Sequence, residues 1–212
     1  MVQPWHPLRH TALADPTGFG WLLGDHDGLS RLAALFSFAA CSRHTIVHIP
    51  LRDGVAMDGG YEQSLKVCGG RVDLVLVHHS LGLRPTAWPD LRRRLGRGGP
   101  LTVRTDERRT ALDAAAWNRQ CEHTRTREWL YPVTHARTLF LTGSRGPFAA
   151  ASTAFEYAAG WGPRQAGAVH GRHVLASGIT GQLLPDTDQR RPEIEISFKA
   201  HPPYTNFRRP GS

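Results

Sequence analysis

The stretch "VDLVLVHHS", residues 72–80, decides the fold. Neighbouring strand residues point to opposite faces, so Val72, Leu74 and Leu76 share one side while Val75 and Val77 share the other. Both sides are apolar, which is the pattern of a central strand covered by helices on two faces. The run stops at His78, His79 and Ser80. In an open α/β sheet, the carboxyl ends of such strands are where ligands bind.

Downstream, helical and strand-like patterns alternate. A helix over 88–95, with Pro89 near its first position, leads to a strand "PLTVRT" at 100–105. An alanine-rich helix over 107–121 stacks Asp113, Trp117 and Cys121 on one side. A strand over 136–142 and the turn "GSRG" then lead to "PFAAASTAFEYAAG", 147–160. That last segment reads as a helix with Pro147 at its start, an apolar stripe of Phe148, Ala151, Phe155 and Ala158, and Gly160 to close it.

Upstream, Asp27 is placed as the N-cap of a helix ending near Cys41, with Leu29, Leu32, Leu35, Phe36 and Ala39 at helical spacing. "HTIVHIPL", 44–51, is strand-like, and Pro50, which has no N–H to donate, pushes it toward a sheet edge. Residues 52–70 read as a long surface loop with a short helix over 62–67. Strands follow at 172–179 and 193–200. In the second, Ile194, Ile196 and Phe198 alternate with Glu195 and Lys199, as in a half-exposed antiparallel strand.

This order predicts an α/β fold: a single three-layer domain with a mixed, mainly parallel sheet, right-handed crossovers and antiparallel edge strands near the C-terminus. An α+β arrangement is the alternative. Residues 1–24, rich in proline and glycine, form an irregular lead-in pinned by Trp5 or Trp21. Residues 25–200 form the domain and 201–212, with three prolines, a flexible tail.

With 212 residues and 40% hydrophobic content the chain can bury a substantial core. Its net charge of +8 rests on arginine, since Lys66 and Lys199 are the only lysines among 26 basic residues. Nucleic-acid binding requires such charge on one face. The densest run, 90–99, falls at a helix end whose partial negative charge explains it equally well. Cys41, Cys68 and Cys121 are odd in number and lack metal-type spacing, so a reducing cytoplasm is the expected compartment. The start has no apolar signal-type core, and "LAALFSFAAC", 32–41, is too short to span a bilayer. The expectation is therefore a soluble, unsecreted protein without membrane contact.

Two loops hold the candidate chemistry. The first carries His78, His79 and Ser80. A neutral imidazole there can act as general acid or base, and pleating sends the two histidines to opposite faces while the strand stays regular. Ser80 lacks a GxSxG elbow, and Cys68, beside Gly69 and Gly70, is the best placed of the thiols; both are candidate nucleophiles. The second loop is Gly143, Ser144, Arg145 and Gly146, where close-approaching backbone N–H groups, a helix start and a guanidinium suit an anion. Neither a GxGxxG nor a P-loop is present, so the cofactor stays unnamed.

No metal site is expected. His44 and His48 sit about 13 Å apart on a strand, and the "HGRH" pair at 170 and 173 matches no zinc spacing. The leading reading is a protein binding an anionic small molecule, of nucleotide or acyl-thioester type, with group transfer or hydrolysis driven by a histidine. The alternatives are a non-catalytic accessory protein and a basic nucleic-acid binder using the arginines at 92–94, 97, 104, 108, 109, 119, 125 and 127. The sequence leaves the oligomeric state open.

Overall fold

The computed structural model describes residues 1–17, 19–57, 60–93, 99–123, 128–184 and 193–204. The chain forms β1 (Ala12–Leu13), β2 (Gly20–Gly24), α1 (His26–Cys41), β3 (Val47–Ile49), α2 (Tyr61–Val67), β4 (Asp73–His78), α3 (Trp88–Arg93) and α4 (Glu107–His123). It continues with β5 (Tyr131–His135), β6 (Thr138–Gly143), α5 (Arg145–Trp161), α6 (Ala166–Val169), β7 (Val174–Gly178) and β8 (Ile194–Phe198). Helices and mixed sheets are thus both present, as the sequence predicts.

The expected single, mainly parallel sheet is instead two four-stranded sheets. Their orders are β3-β4-β6-β5 and β1-β2-β8-β7. Each has a parallel central pair, β4 with β6 and β2 with β8, flanked by antiparallel edges. They touch where Ala14 bridges Arg71 just ahead of β4, with the Val72 N–H donating to the Leu13 carbonyl.

One apolar core serves both sheets. Leu74, Leu76, Leu139 and Leu141 from the first and Leu22, Ile194, Ile196 and Phe198 from the second pack with Leu29, Leu32 and Phe36 of α1 and Phe148 and Phe155 of α5. Phe36 meets Phe155 at 4.9 Å and Phe148 at 6.1 Å between ring centroids. The opposite faces have private clusters: Val75, Val77, Phe140 and Trp88 on the first sheet, and Ala12, Ala14, Trp21, Leu23 and Leu65 on the second. The two-faced reading of 72–77 therefore holds.

Several local expectations change. Residues 1–24, read as an irregular lead-in, supply β1 and the fully buried β2; "GWLLG" is too short and glycine-flanked to show a period. Asp25 rather than Asp27 caps α1, accepting the Gly28 N–H on Oδ1 at 2.8 Å. Residues 100–105 form no strand. Tyr131–His135, for which no strand is expected from the sequence, is β5, joined to β6 by a two-residue turn at Ala136 and Arg137 with φ of 49° and 57°. Left-handed turns usually announce themselves with Asn or Gly, so this hairpin leaves no trace in the sequence. β8 is no half-exposed strand; it lies between β2 and β7. Pro147 stands third in α5, and that helix runs past Gly160 to Trp161. Part of the basic run, including Arg94 and Arg97, lies outside the described residues, as do Arg125, Arg127 and the tail from 205.

At the amino end of β4, Asp73 is 1% exposed and ties the chain after β3 to the sheet. Its Oδ1 accepts the Leu51 and Arg52 N–H groups at 3.0 and 2.9 Å, while Arg52, Arg92 and His48 approach Oδ2 at 3.6, 3.7 and 3.8 Å. Burial raises its carboxyl, but His48, the backbone donors and the Arg52 charge outweigh this and hold it below the ordinary aspartate value.

Candidate functional site

The parallel register of β4 and β6 sets His78 beside Gly143, so the two candidate loops share one rim beyond the strand ends. His78 is the last residue of β4, 6% exposed, on the pleat side of Leu74 and Leu76. Its Nδ1 lies 2.8 Å from Ser80 Oγ and accepts the Ser80 backbone N–H at 3.2 Å. Accepting at Nδ1 places the proton of the neutral ring on Nε2. Burial, then the charges of His79, Arg43, His44 and Arg145, hold this imidazole below its ordinary value, which favours the neutral base.

The strand ends one residue earlier than expected, and that alters the histidine pair. His79 begins a tight 3-10 turn, His79–Leu81, so pleating no longer separates the two rings. Their centroids lie 4.4 Å apart with the planes tilted by 37°. His78 is buried and bonded; His79 and Ser80 are exposed. Ser80 Oγ also has the Arg43 carbonyl in reach at 3.4 Å.

Across the rim, Ser144 is the N-cap of α5 but makes no capping bond, because its Oγ donates to Glu128 at 2.8 Å. Arg145 Nη1 faces Asp113 at 3.8 Å, and Arg145 Nε is a buried donor without a partner. The glycines of the turn have a packing reason. A Cβ on Gly143 would sit 2.6 Å from Leu130 Cδ2, and one on Gly146 would sit 2.7 Å from Trp117 Cδ1. They bring α5 against α4 and the residue before β5, so their presence says nothing of phosphate.

Cys68 is not part of this rim. It ends α2, half-buried against the Trp21 and Leu65 cluster, and precedes the opposite end of β4. The six residues of that strand, at about 3.3 Å each, separate the two ends. Sequence reasoning missed Asp113, Glu128 and Arg43 as neighbours of the rim. The shared helix side of Asp113 and Trp117 was the one available signal, since Trp117 is what Gly146 packs on. Three clefts of about 310, 450 and 480 Å³ open elsewhere: between α1, α4 and α5; around Asp25; and beside Trp88 and Arg92. None of these three is lined by His78, His79, Ser80 or Cys68.

No family model matches this chain. A stretch of 49 residues is 43% identical to olfactory receptor 2M3 of Homo sapiens, covering 20% of this chain and 16% of the receptor. Olfactory receptor 2M7 of Homo sapiens matches to the same extent. The chain thus spans 16% of the length of these curated relatives, too little to carry a fold or a function across. No helix among the described residues is long and apolar enough to cross a membrane. No solved structure matches.

Proposed function

We propose that this chain is a cytoplasmic protein that binds an anionic small molecule, of nucleotide or acyl-thioester type, at the common rim of β4 and β6. One observation carries the reading: the His78 to Gly143 register brings a buried, Ser80-bonded imidazole alongside the start of α5. Without a Ser144 side-chain cap, the first N–H groups of this 17-residue helix remain available to an anion. The Arg145 side chain, 41% exposed, adds a guanidinium that can fork onto a phosphate or carboxylate.

In the catalytic form of the proposal, His78 Nδ1 takes the proton of Ser80 Oγ, and the resulting alkoxide attacks the ligand's acyl or phosphoryl centre. The leaving group recovers a proton from the imidazolium, and water then completes hydrolysis, or a second acceptor completes transfer. Cys68 has no place in this scheme.

The experiment is a melting-shift titration of wild type, Arg145→Ala and His78→Gln with nucleotides and coenzyme A thioesters. Wild type is expected to be stabilised by at least one of these anions, Arg145→Ala to lose most of that shift, and His78→Gln to keep binding while losing turnover. Absence of a shift with every anion overturns the proposal.

A further inference from the structure

Three segments far apart in sequence meet beyond the carboxyl end of β2. β1 runs antiparallel with Ala12 opposite Leu23, and β8 runs parallel with Phe198 opposite Gly24. His10, Asp25 and His201 therefore overrun the same edge of the second sheet, and the His10 and His201 rings stack with centroids 3.4 Å apart. A cleft of about 450 Å³ opens there, lined by Trp5, Arg9, His10, Asp25 and Arg31 among others. It lies at the strand ends of a parallel pair, where topology places ligands in α/β sheets.

The charges in this cleft are unevenly satisfied. Arg31 is spent: its Nη1 lies 3.4 Å from Asp27 Oδ2 and 3.3 Å from the Pro7 carbonyl, and its Nη2 donates to the His6 carbonyl. Asp25 is only 8% exposed, yet it has no ion pair among the described residues. Its Oδ1 is taken by the Gly28 N–H, and its Oδ2 has no hydrogen-bond partner among them. Burial is the largest effect on this carboxyl and pushes it above its ordinary value; the Gly28 N–H and the charges of His10 and His201 offset only part of that. Arg9, also on the cleft, has no ion pair among the described residues either.

We propose that this cleft binds an α-amino acid or an equivalent zwitterion, with the ammonium on Asp25 Oδ2, the carboxylate on Arg9 and the side chain against Trp5. A ligand anion cannot take the place of the ammonium, because Asp25 already occupies the start of α1 and would repel it. A simple amine leaves Arg9 unmatched; a simple acid leaves Asp25 unmatched. Trp5, 69% exposed, supplies the open apolar surface that a side chain needs. The site is separate from the rim of β4 and β6 and does not depend on the reading given to that rim.

The test begins with the twenty L-amino acids in a melting-shift screen. The amino acid with the largest shift is then titrated calorimetrically against its decarboxylated amine and its deaminated acid. Each truncated analogue is expected to bind about tenfold or more weakly, the cost of losing one charge-assisted contact. Asp25→Asn keeps the helix cap, since Asn caps as well as Asp, and is expected to abolish the preference over the deaminated acid. Arg9→Gln is expected to abolish the preference over the amine. No shift with any amino acid, equal binding of all three compounds, or binding unchanged in both variants overturns the proposal.

Discussion

The two sheets are built alike and use their ends differently. Each has a parallel central pair inside antiparallel edges, and in each one strand of that pair, β6 or β2, feeds directly into a long helix of the common core, α5 or α1. At the first sheet, the polar groups beyond the strands bind one another: His78 to Ser80, Ser144 to Glu128, Arg145 to Asp113. At the second, Asp25 and Arg9 face a cleft without ion-pair partners among the described residues. The same architecture thus yields, in one place, a rim whose side chains largely pair with one another while Arg145 Nε stays without a partner, and in the other a cleft whose carboxylate and guanidinium have no ion pair among the described residues.

The largest effect expected from breaking this arrangement comes from the shared core. Phe36→Ala removes the ring that α1 sets against Phe148 and Phe155, at a cost of about 3–5 kcal/mol. Because both sheets lean on α1 and α5, chemical denaturation should still show one transition. Two resolved transitions would show that the sheets fold on separate cores.

Next in size is Asp73→Ala, at about 3 kcal/mol, since it orphans two backbone donors and leaves the Arg52 and Arg92 charges beside an empty acceptor. The folded-state value of Asp73 is depressed below 3.8, so its contribution is present above that value and disappears as pH falls through the folded one. An Asp73→Asn variant should lose that acid-side dependence, which denaturant midpoints measured on either side of pH 4 would reveal.

Asp25 has the opposite sign. Its folded value is raised, so the group favours the folded state below 3.8 and that advantage is lost as pH rises through the raised value. At neutral pH the ionised, unpaired carboxylate is a burden. Asp25→Asn should therefore raise ligand-free stability there while retaining the cap, and a drop in its denaturation midpoint would contradict the assignment of Oδ2 as partnerless.

A smaller effect is expected at the β5–β6 hairpin. Ala136 holds a φ of 49°, so Ala136→Gly relieves a left-handed strain at the expense of some unfolded-state entropy. The balance is a gain of about 0.5 kcal/mol, readable as a rise in melting temperature. No change would indicate that the turn relaxes without help from glycine.

Much of the candidate rim was legible because its evidence is local. A buried strand ending in polar residues and a glycine turn opening a helix are both patterns within ten residues, and parallel pairing of the two strands was the only long-range step required. The pairing of His78 with His79 was misjudged for a local reason too: the strand ended one residue early. That Cys68 lies at the other end of β4 was not legible, because loop position alone says nothing about which end of the strand it approaches. β2 and β5 escaped notice since one has glycine at both ends and the other is joined by a turn lacking glycine and asparagine.

By itself the sequence determined the apolar periods of α1, α5 and β4, the two-sided burial of residues 72–77, and the absence of familiar nucleotide and zinc motifs. These follow from side-chain order along a regular backbone. Only the tertiary structure decided that there are two sheets, that one core joins them, and that positions 10, 25 and 201 share an edge. Strand pairing is a long-range choice, settled by which faces can be buried together, and no local pattern encodes which partner a strand will find.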